Sequence, residues 1–141
     1  MERAMGPSSF IDEAMRSWAL RYLREAEADL SLARECASMD AVRELSAISV
    51  KKAQLAVQHA LSDPDTFEYA IAESLVKGPL REPLLRFMEK TDLLVKRAAD
   101  PRFAVGKDQL LKLVEKALEA SSLIVRAAVG KPRKPAGRKR N

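Results

Sequence analysis

Apolar residues recur at steps of three or four along almost the whole chain, which is the spacing of one face of an α-helix. Charged side chains occupy most of the positions between them. The first such stripe, between Phe10 and Ala37, consists of Ile11, Met15, Trp18, Tyr22, Ala26, Leu30 and Ala33. The sequence contains no run with the two-residue alternation of a half-buried strand. The chain is therefore predicted to be all-α.

Capping and helix-breaking residues divide this pattern into five helices. Asp40 is an N-cap candidate for the second helix, and Ser62-Asp63-Pro64 ends that helix and starts a short third one. Pro83 lies near the start of the fourth helix, Asp100-Pro101 ends it, and Gly130 suits the position after the fifth. The predicted bounds are 10–38, 40–62, 64–77, 80–99 and 107–129. Short turns between such helices indicate an antiparallel up-and-down bundle of four to five helices.

The second helix carries apolar residues on more than one face, so it is expected in the middle of the bundle. These residues are Val42, Leu45, Ile48, Ala53, Leu55, Ala56, Val57, Ala60 and Leu61. The last helix is similarly broad. Faces of this width exceed what one neighbouring helix covers, which favours a homodimer.

The formal net charge of +5 is concentrated at the carboxyl end, which leaves −1 on residues 1–130. The basic residues of the last eleven positions are Lys131, Arg133, Lys134, Arg138, Lys139 and Arg140. The sequence predicts a helical bundle in residues 1–130 and a disordered basic tail in residues 131–141. The tail cations are candidates for binding nucleic-acid phosphates without sequence preference.

Residues 1–17 lack the apolar stretch of a secretory signal, and no segment has the ~20 apolar residues that span a bilayer. A cytoplasmic protein is therefore expected. Cys36 is the only cysteine, which excludes an internal disulfide, and it is predicted to be a small buried side chain of the first helix. Asparagine and glutamine are scarce, as is common in thermophile proteins.

His59 is the only histidine and therefore the main candidate for acid–base chemistry. Its spacing from Ser62 and Asp63 is compatible with a hydrogen bond to either. A di-metal bundle requires a Glu-x-x-His pair on each of two helices, and Ala56 stands three residues before His59. The glycines are isolated and form no phosphate-binding loop. We predict no catalytic, cofactor-binding or metal-binding residue.

Three short motifs occur in the order and spacing of a known family. Residues 26–33 (AEADLSLA) match the pattern A-x-x-D-L-x-x-A. Residues 54–61 (QLAVQHAL) are similar to Q-x-A-x-E-K-A-L, with Gln58 and His59 in place of Glu and Lys. Residues 101–103 (PRF) are an altered form of an Arg-Tyr-Pro element before the last helix. With these motifs the chain resembles the HEPN family of small helical-bundle proteins over roughly residues 16–129.

The HEPN resemblance implies a homodimer that works beside a small nucleotidyltransferase in a toxin–antitoxin or related defence system. Many members are RNases in which an Arg-x4-6-His motif from two subunits converges on the RNA backbone. At that spacing before His59 this chain has Lys52, Ala53 and Gln54, and a lysine does not reproduce the fork of an arginine. The resemblance therefore predicts a non-catalytic interaction protein. The alternative is a nucleic-acid-binding module that uses the basic tail, with or without weak RNase activity.

Overall fold

The computed structural model describes residues 5–61 and 83–129, with side chains from residues 13–61 and 85–129. These residues form four helices: α1 is Met5–Glu35, α2 is Met39–Leu61, α3 is Pro83–Ala99 and α4 is Lys107–Val129. The described ranges contain no strand, so the prediction of an all-α helical bundle is confirmed for them. The predicted short helix 64–77, Gly130 and the basic tail lie outside the described residues.

The bounds of α2, α3 and α4 follow the capping and breaking residues of the sequence, and α4 has the predicted range of 107–129. Pro83 is the first residue of α3, and α3 ends directly before Asp100-Pro101. The predicted start of α1 is wrong, because this helix begins at Met5 rather than at residue 10. Pro7 is compatible with the earlier start because the first four N–H groups of a helix have no partner within it.

The link between α1 and α2 is longer than predicted, since α1 ends at Glu35 rather than at residue 38 and α2 begins at Met39. The Cys36 N–H donates to the Ala33 carbonyl at 3.2 Å, which closes the last turn of α1. Cys36 itself is half-buried in the link and not inside the helix. The Ser38 hydroxyl accepts from the Ala41 N–H at 3.3 Å, so Ser38 is the N-cap of α2. The predicted N-cap, Asp40, instead lies in the first turn of α2, where its charge suits the helix dipole.

α2 lies in the middle of the bundle, as predicted, because it packs against α1, α3 and α4. Most of its apolar residues are thus covered by helices of the same chain, although Ile48 and Leu61 are 40% and 42% exposed. The width of its apolar faces is therefore explained within one chain and is not by itself a reason for a dimer. Contacts between α1 and α2 run in opposite order along the two helices: Tyr22 lies against His59, and Asp29 against Lys52.

The buried apolar residues form two clusters at opposite ends of the bundle. The first cluster consists of Ala26, Leu30, Ala33, Val42, Val50, Ala53, Ala98, Leu110, Leu111, Val114 and Leu118. The second cluster consists of Ala19, Leu23, Ala56, Val57, Phe87, Met88 and Val125. Small alanine side chains in both clusters allow α1 and α2 to approach closely. Trp18, which the periodicity placed on the inner face, is 42% exposed, and the neighbouring Ala19 is buried instead.

Buried polar side chains tie the helices together between these clusters. The Ser49 hydroxyl of α2 donates to the Ala26 carbonyl of α1 at 2.7 Å. The Gln54 amide of α2 donates to the Thr91 hydroxyl and to an Asp92 carboxylate oxygen of α3, both at 2.7 Å. Thr91 in turn donates to main-chain carbonyls one turn earlier in α3. Each buried hydrogen bond restricts the register of the two helices that it joins.

Two cations hold the loops at the end of the bundle that contains the first cluster. Arg43 of α2 donates to the Asp100 carbonyl at 3.0 Å and to the Phe103 carbonyl in the α3–α4 connector. Lys107, the first residue of α4, donates to the Cys36 carbonyl at 2.6 Å and to a carbonyl of the last turn of α1 at 3.0 Å. Both cations thus satisfy carbonyls at or near helix ends, which have no partner within the helix.

Candidate functional site

His59 lies near the end of α2 and is half-buried against α1. Its Nδ1 lies 2.8 Å from the Leu55 carbonyl oxygen, so Nδ1 is the donor of this hydrogen bond. The ring centroid lies 5.2 Å from that of Tyr22. The hydrogen bond of His59 is therefore made within its own helix, while Ser62 and Asp63 lie outside the described residues.

Tyr22 continues this contact into a row of rings along α1. The Trp18 and Tyr22 centroids are 5.6 Å apart, and the Arg21 guanidinium lies 5.0 Å from the Trp18 ring. Arg21 also pairs at 3.3 Å with Glu25, which lies four residues later on the same side of α1. The row gives His59 a packing role between α1 and α2.

Lys52 is the cation that stands, relative to His59 in the sequence, at the spacing of the arginine in the RNase motif. Two carboxylates of α1 form ion pairs with it. Its Nζ lies 2.9 Å from Asp29 Oδ2 and 3.5 Å from Glu25 Oε1. The hydrogen bond to Asp29 raises the pKa of Lys52 above its ordinary value, although partial burial opposes the shift. Asp29 is the acidic residue of the A-x-x-D-L-x-x-A motif, so that motif here supplies a structural ion pair between α1 and α2.

Arg102, the arginine of the motif at residues 101–103, lies at the far end of the bundle from His59. Its guanidinium binds the Asp100 carboxylate at 3.1 Å, and these contacts hold the pKa of Asp100 below its ordinary value. The connector that contains both residues is tied to Arg43, which is about 24 Å from His59 along the axis of α2. Within one chain, the described residues therefore do not bring Arg102 to His59.

The six tail cations predicted to bind nucleic acid lie outside the described residues. Within the residues that are described, no three potential ligands among His, Cys, Asp and Glu converge on a metal position. In the same ranges, no helix combines the length and apolarity that a membrane span requires.

An open groove of about 600 Å³ runs between α1 and α4 and is called the α1–α4 groove. Its apolar residues are Leu30, Leu118 and Leu123, and Leu123 is 73% exposed. Its charged residues are Glu27, Arg34, Glu115, Glu119 and Arg126. Arg34 and Glu115 form an ion pair of 2.6 Å across the groove. The α1–α4 groove therefore combines an exposed leucine with charges of both signs.

A second open groove, of about 470 Å³, lies between α3 and α4 and is called the α3–α4 groove. Its apolar residues are Phe87, Leu93, Leu94, Leu113, Ala117 and Ala120. Leu93 and Leu113 are 46% and 41% exposed. The charged residues that line it are Lys90, Arg97 and Lys116, and no carboxylate is among the described lining residues. The periodicity of the sequence did not identify this surface, and the signal for it is an apolar leucine that lies off the inward side of its amphipathic helix, such as Leu93 or Leu113.

Comparisons with protein-family models, with curated proteins and with solved structures gave no significant match to this chain. The resemblance to HEPN proteins therefore depends on the three sequence motifs. The features of the described residues that bear on function are the two grooves and the surroundings of His59.

Proposed function

We propose that the chain is a HEPN-like, non-catalytic interaction protein that forms a homodimer and binds a small nucleotidyltransferase in a toxin–antitoxin or defence-type system. The observation that carries the proposal is the pair of solvent-open grooves with exposed leucines on one small helical bundle. Exposed apolar surface of this kind is characteristic of protein-binding sites. The surroundings of His59 agree with a non-catalytic role, since its Nδ1 hydrogen bond is to a helix carbonyl and Lys52 is paired with α1.

The proposed architecture is an antiparallel up-and-down bundle of the HEPN type. Contacts between α1 and α2 support it because they run in opposite order along the two helices. The same holds for α2 and α3, in which Arg43 binds at Asp100 and Gln54 binds at Thr91. The motif residues also fit this arrangement. Ala26, Leu30 and Ala33 of the first motif, with Gln54 and Ala56 of the second, are buried between the helices.

The α1–α4 groove is the surface proposed for the homodimer. A two-fold axis places the same surface of each subunit against the other, so the surface has to complement itself. Both acidic and basic residues line this groove, which allows a carboxylate of one subunit to face an arginine of the other. Leu123 supplies an exposed apolar anchor for such a contact.

The Leu123→Glu substitution tests the homodimer. Wild-type protein is expected to show the mass of two chains in sedimentation at micromolar concentration. The substitution buries a carboxylate in the apolar contact, so it is expected to raise the dimer dissociation constant by about ten-fold or more. Leu93→Glu is the matched control because it makes the same change in the α3–α4 groove. A monomeric wild type, or equal effects of the two substitutions, would contradict the proposed dimer.

The nucleotidyltransferase partner has a separate test. A small nucleotidyltransferase encoded beside this chain is expected to co-purify with it in a defined ratio after co-expression. Leu123→Glu, which is expected to disrupt the homodimer, shows whether binding of the nucleotidyltransferase requires the dimer. A neighbouring nucleotidyltransferase that remains separate from the chain under these conditions would contradict this part of the proposal.

A nucleic-acid-binding module is the second candidate, and the concentration of six cations in residues 131–141 favours it. Wild type, His59→Ala and a chain that ends at Gly130 are compared for binding and cleavage of a structured RNA. The main proposal predicts no cleavage by any of them, because Lys52 is paired with carboxylates of α1 and Arg102 lies at the far end of the bundle, so neither is placed to stabilise charge on phosphate at His59. Cleavage that disappears in His59→Ala would overturn the non-catalytic proposal. Salt-sensitive binding that disappears only in the truncated chain would favour the nucleic-acid module.

A further inference from the structure

The α3–α4 groove has an apolar floor because α3 and α4 pack mainly against α2 and touch each other much less. The sides of α3 and α4 that face each other are left open to solvent at Leu93 and Leu113. Both leucines lie beside buried or half-buried neighbours such as Phe87 and Leu94, so the floor is continuous with the interior. An apolar strip between two helices matches the apolar side of a third helix.

The charges that line the groove have one sign and a defined spacing. Lys90 and Arg97 are seven residues apart on α3, which places them two turns or about 10.5 Å apart on the same side. Lys116 lines the groove from α4. The Arg97 guanidinium lies 5.6 Å from the Phe103 ring centroid, and this contact limits its freedom to move.

The described charges that line the α3–α4 groove are all positive, and this favours one kind of occupant over the others. A second copy of the groove across a two-fold axis would place three cations against three cations. A nucleic-acid backbone would pair with the cations but would leave Leu93 and Leu113 in water. A flat lipid surface does not fill a concave strip between two helices. A helix with carboxylates at i and i+7, and leucine-like side chains between them, matches both the cations and the floor.

We infer that the α3–α4 groove is the docking site for an acidic amphipathic helix of a partner protein. Carboxylates two turns apart on that helix pair with Lys90 and Arg97, and its apolar side chains cover Leu93 and Leu113. The inference deepens the proposed function, on which it rests, by naming the chemistry of the partner surface. The two grooves then have different functions: the α1–α4 groove binds a second copy of the chain, and the α3–α4 groove binds the partner protein.

The test uses a labelled synthetic peptide of roughly 18 residues, with glutamates at i and i+7 and leucines between them, in fluorescence anisotropy with the full chain. Lys90→Glu/Lys116→Glu is expected to weaken binding about ten-fold, since the rim ion pairs become repulsive. The matched control is Lys51→Glu/Lys96→Glu, which makes the same charge change at exposed lysines outside the groove. This control is expected to stay within about two-fold of wild type. A peptide with lysines in place of the glutamates is expected to prefer Lys90→Glu/Lys116→Glu over wild type.

Several outcomes would overturn the inference. They are an absence of peptide binding, equal losses in the two double variants, and displacement of the peptide by single-stranded RNA or by phosphatidylglycerol vesicles at the same cations. A peptide of residues 63–77 carries four acids and represents an occupant from the same chain. Stronger binding of that peptide than of the designed helix would also overturn it.

The mass of each sample is measured in parallel with peptide binding. A dimer that does not bind the peptide refutes the groove inference and leaves the homodimer proposal standing. A monomer that binds the peptide refutes the homodimer and supports the groove inference. Leu93→Glu is expected to weaken peptide binding without altering the mass of the dimer. Leu123→Glu is expected to lower the mass to that of one chain without altering peptide binding.

Discussion

Replacing Leu110 with alanine is expected to lower the free energy of unfolding by about 2–5 kcal/mol. Leu110 lies in the first turn of α4 and is fully buried in the first cluster. It contributes to the packing of α4 on α2 directly beside the α3–α4 connector. Removing most of its side chain loses apolar burial and leaves a cavity that the neighbouring helices fill only in part.

Urea unfolding followed by circular dichroism measures this effect, with Leu113→Ala as the matched control. Leu113 is on the same helix, but it is 41% exposed and lies in the α3–α4 groove. Its substitution is expected to cost about 1 kcal/mol or less. Similar losses for the two variants would mean that α4 does not bury the face that the structure assigns to the first cluster.

Replacing Gln54 with alanine is expected to lower the free energy of unfolding by about 1–3 kcal/mol. The Gln54 side chain is buried and joins α2 to α3 through Thr91 and Asp92. The substitution removes both hydrogen bonds and leaves a small cavity between the helices. Because Thr91 keeps its own bonds to the main chain of α3, the loss is expected to fall on the contact between α2 and α3.

A double-mutant cycle with Thr91→Val assigns this loss to the pair. A coupling of about 0.5 kcal/mol or more between the two substitutions is expected for residues that share a buried hydrogen bond. Gln109→Ala is the control, since Gln109 is exposed and bonds only weakly to the Gly106 N–H at 3.3 Å. Strictly additive effects of Gln54→Ala and Thr91→Val would contradict the bond.

The sequence predicts the ends of the described helices well where capping or helix-breaking residues stand beside those ends. Pro83, Asp100-Pro101 and the apolar spacing after Gly106 give the bounds of α3 and α4 closely. The central position of α2 follows from its several apolar faces, because such a helix has to be covered on more than one side. The structure has Ser38 as the N-cap of α2 instead of Asp40, and because serine and aspartate are both good N-cap residues, residue type alone does not choose between them.

Features that depend on residues far apart in the chain could not be predicted. The contacts of Lys107 with Cys36 and of Arg43 with Phe103 join positions 71 and 60 residues apart. Each long side chain has many possible acceptors until the helices are in place. The α3–α4 groove has the same origin, because periodicity marks which residues of a helix are apolar but not how closely two helices approach. The exposure of Leu93 therefore depends on the distance between α3 and α4, which the residues next to it in the sequence do not determine.

The two separate clusters affect how the sequence of this chain can diverge. No buried residue belongs to both clusters, and polar contacts such as Ser49 to Ala26 and Gln54 to Thr91 also hold the helices together. Substitutions in distant groups without shared neighbours have additive effects on stability. Selection can therefore replace residues around Phe87 and Val125 without compensating changes around Leu110. One end of the bundle is free to acquire a new binding specificity while the other keeps the helices folded.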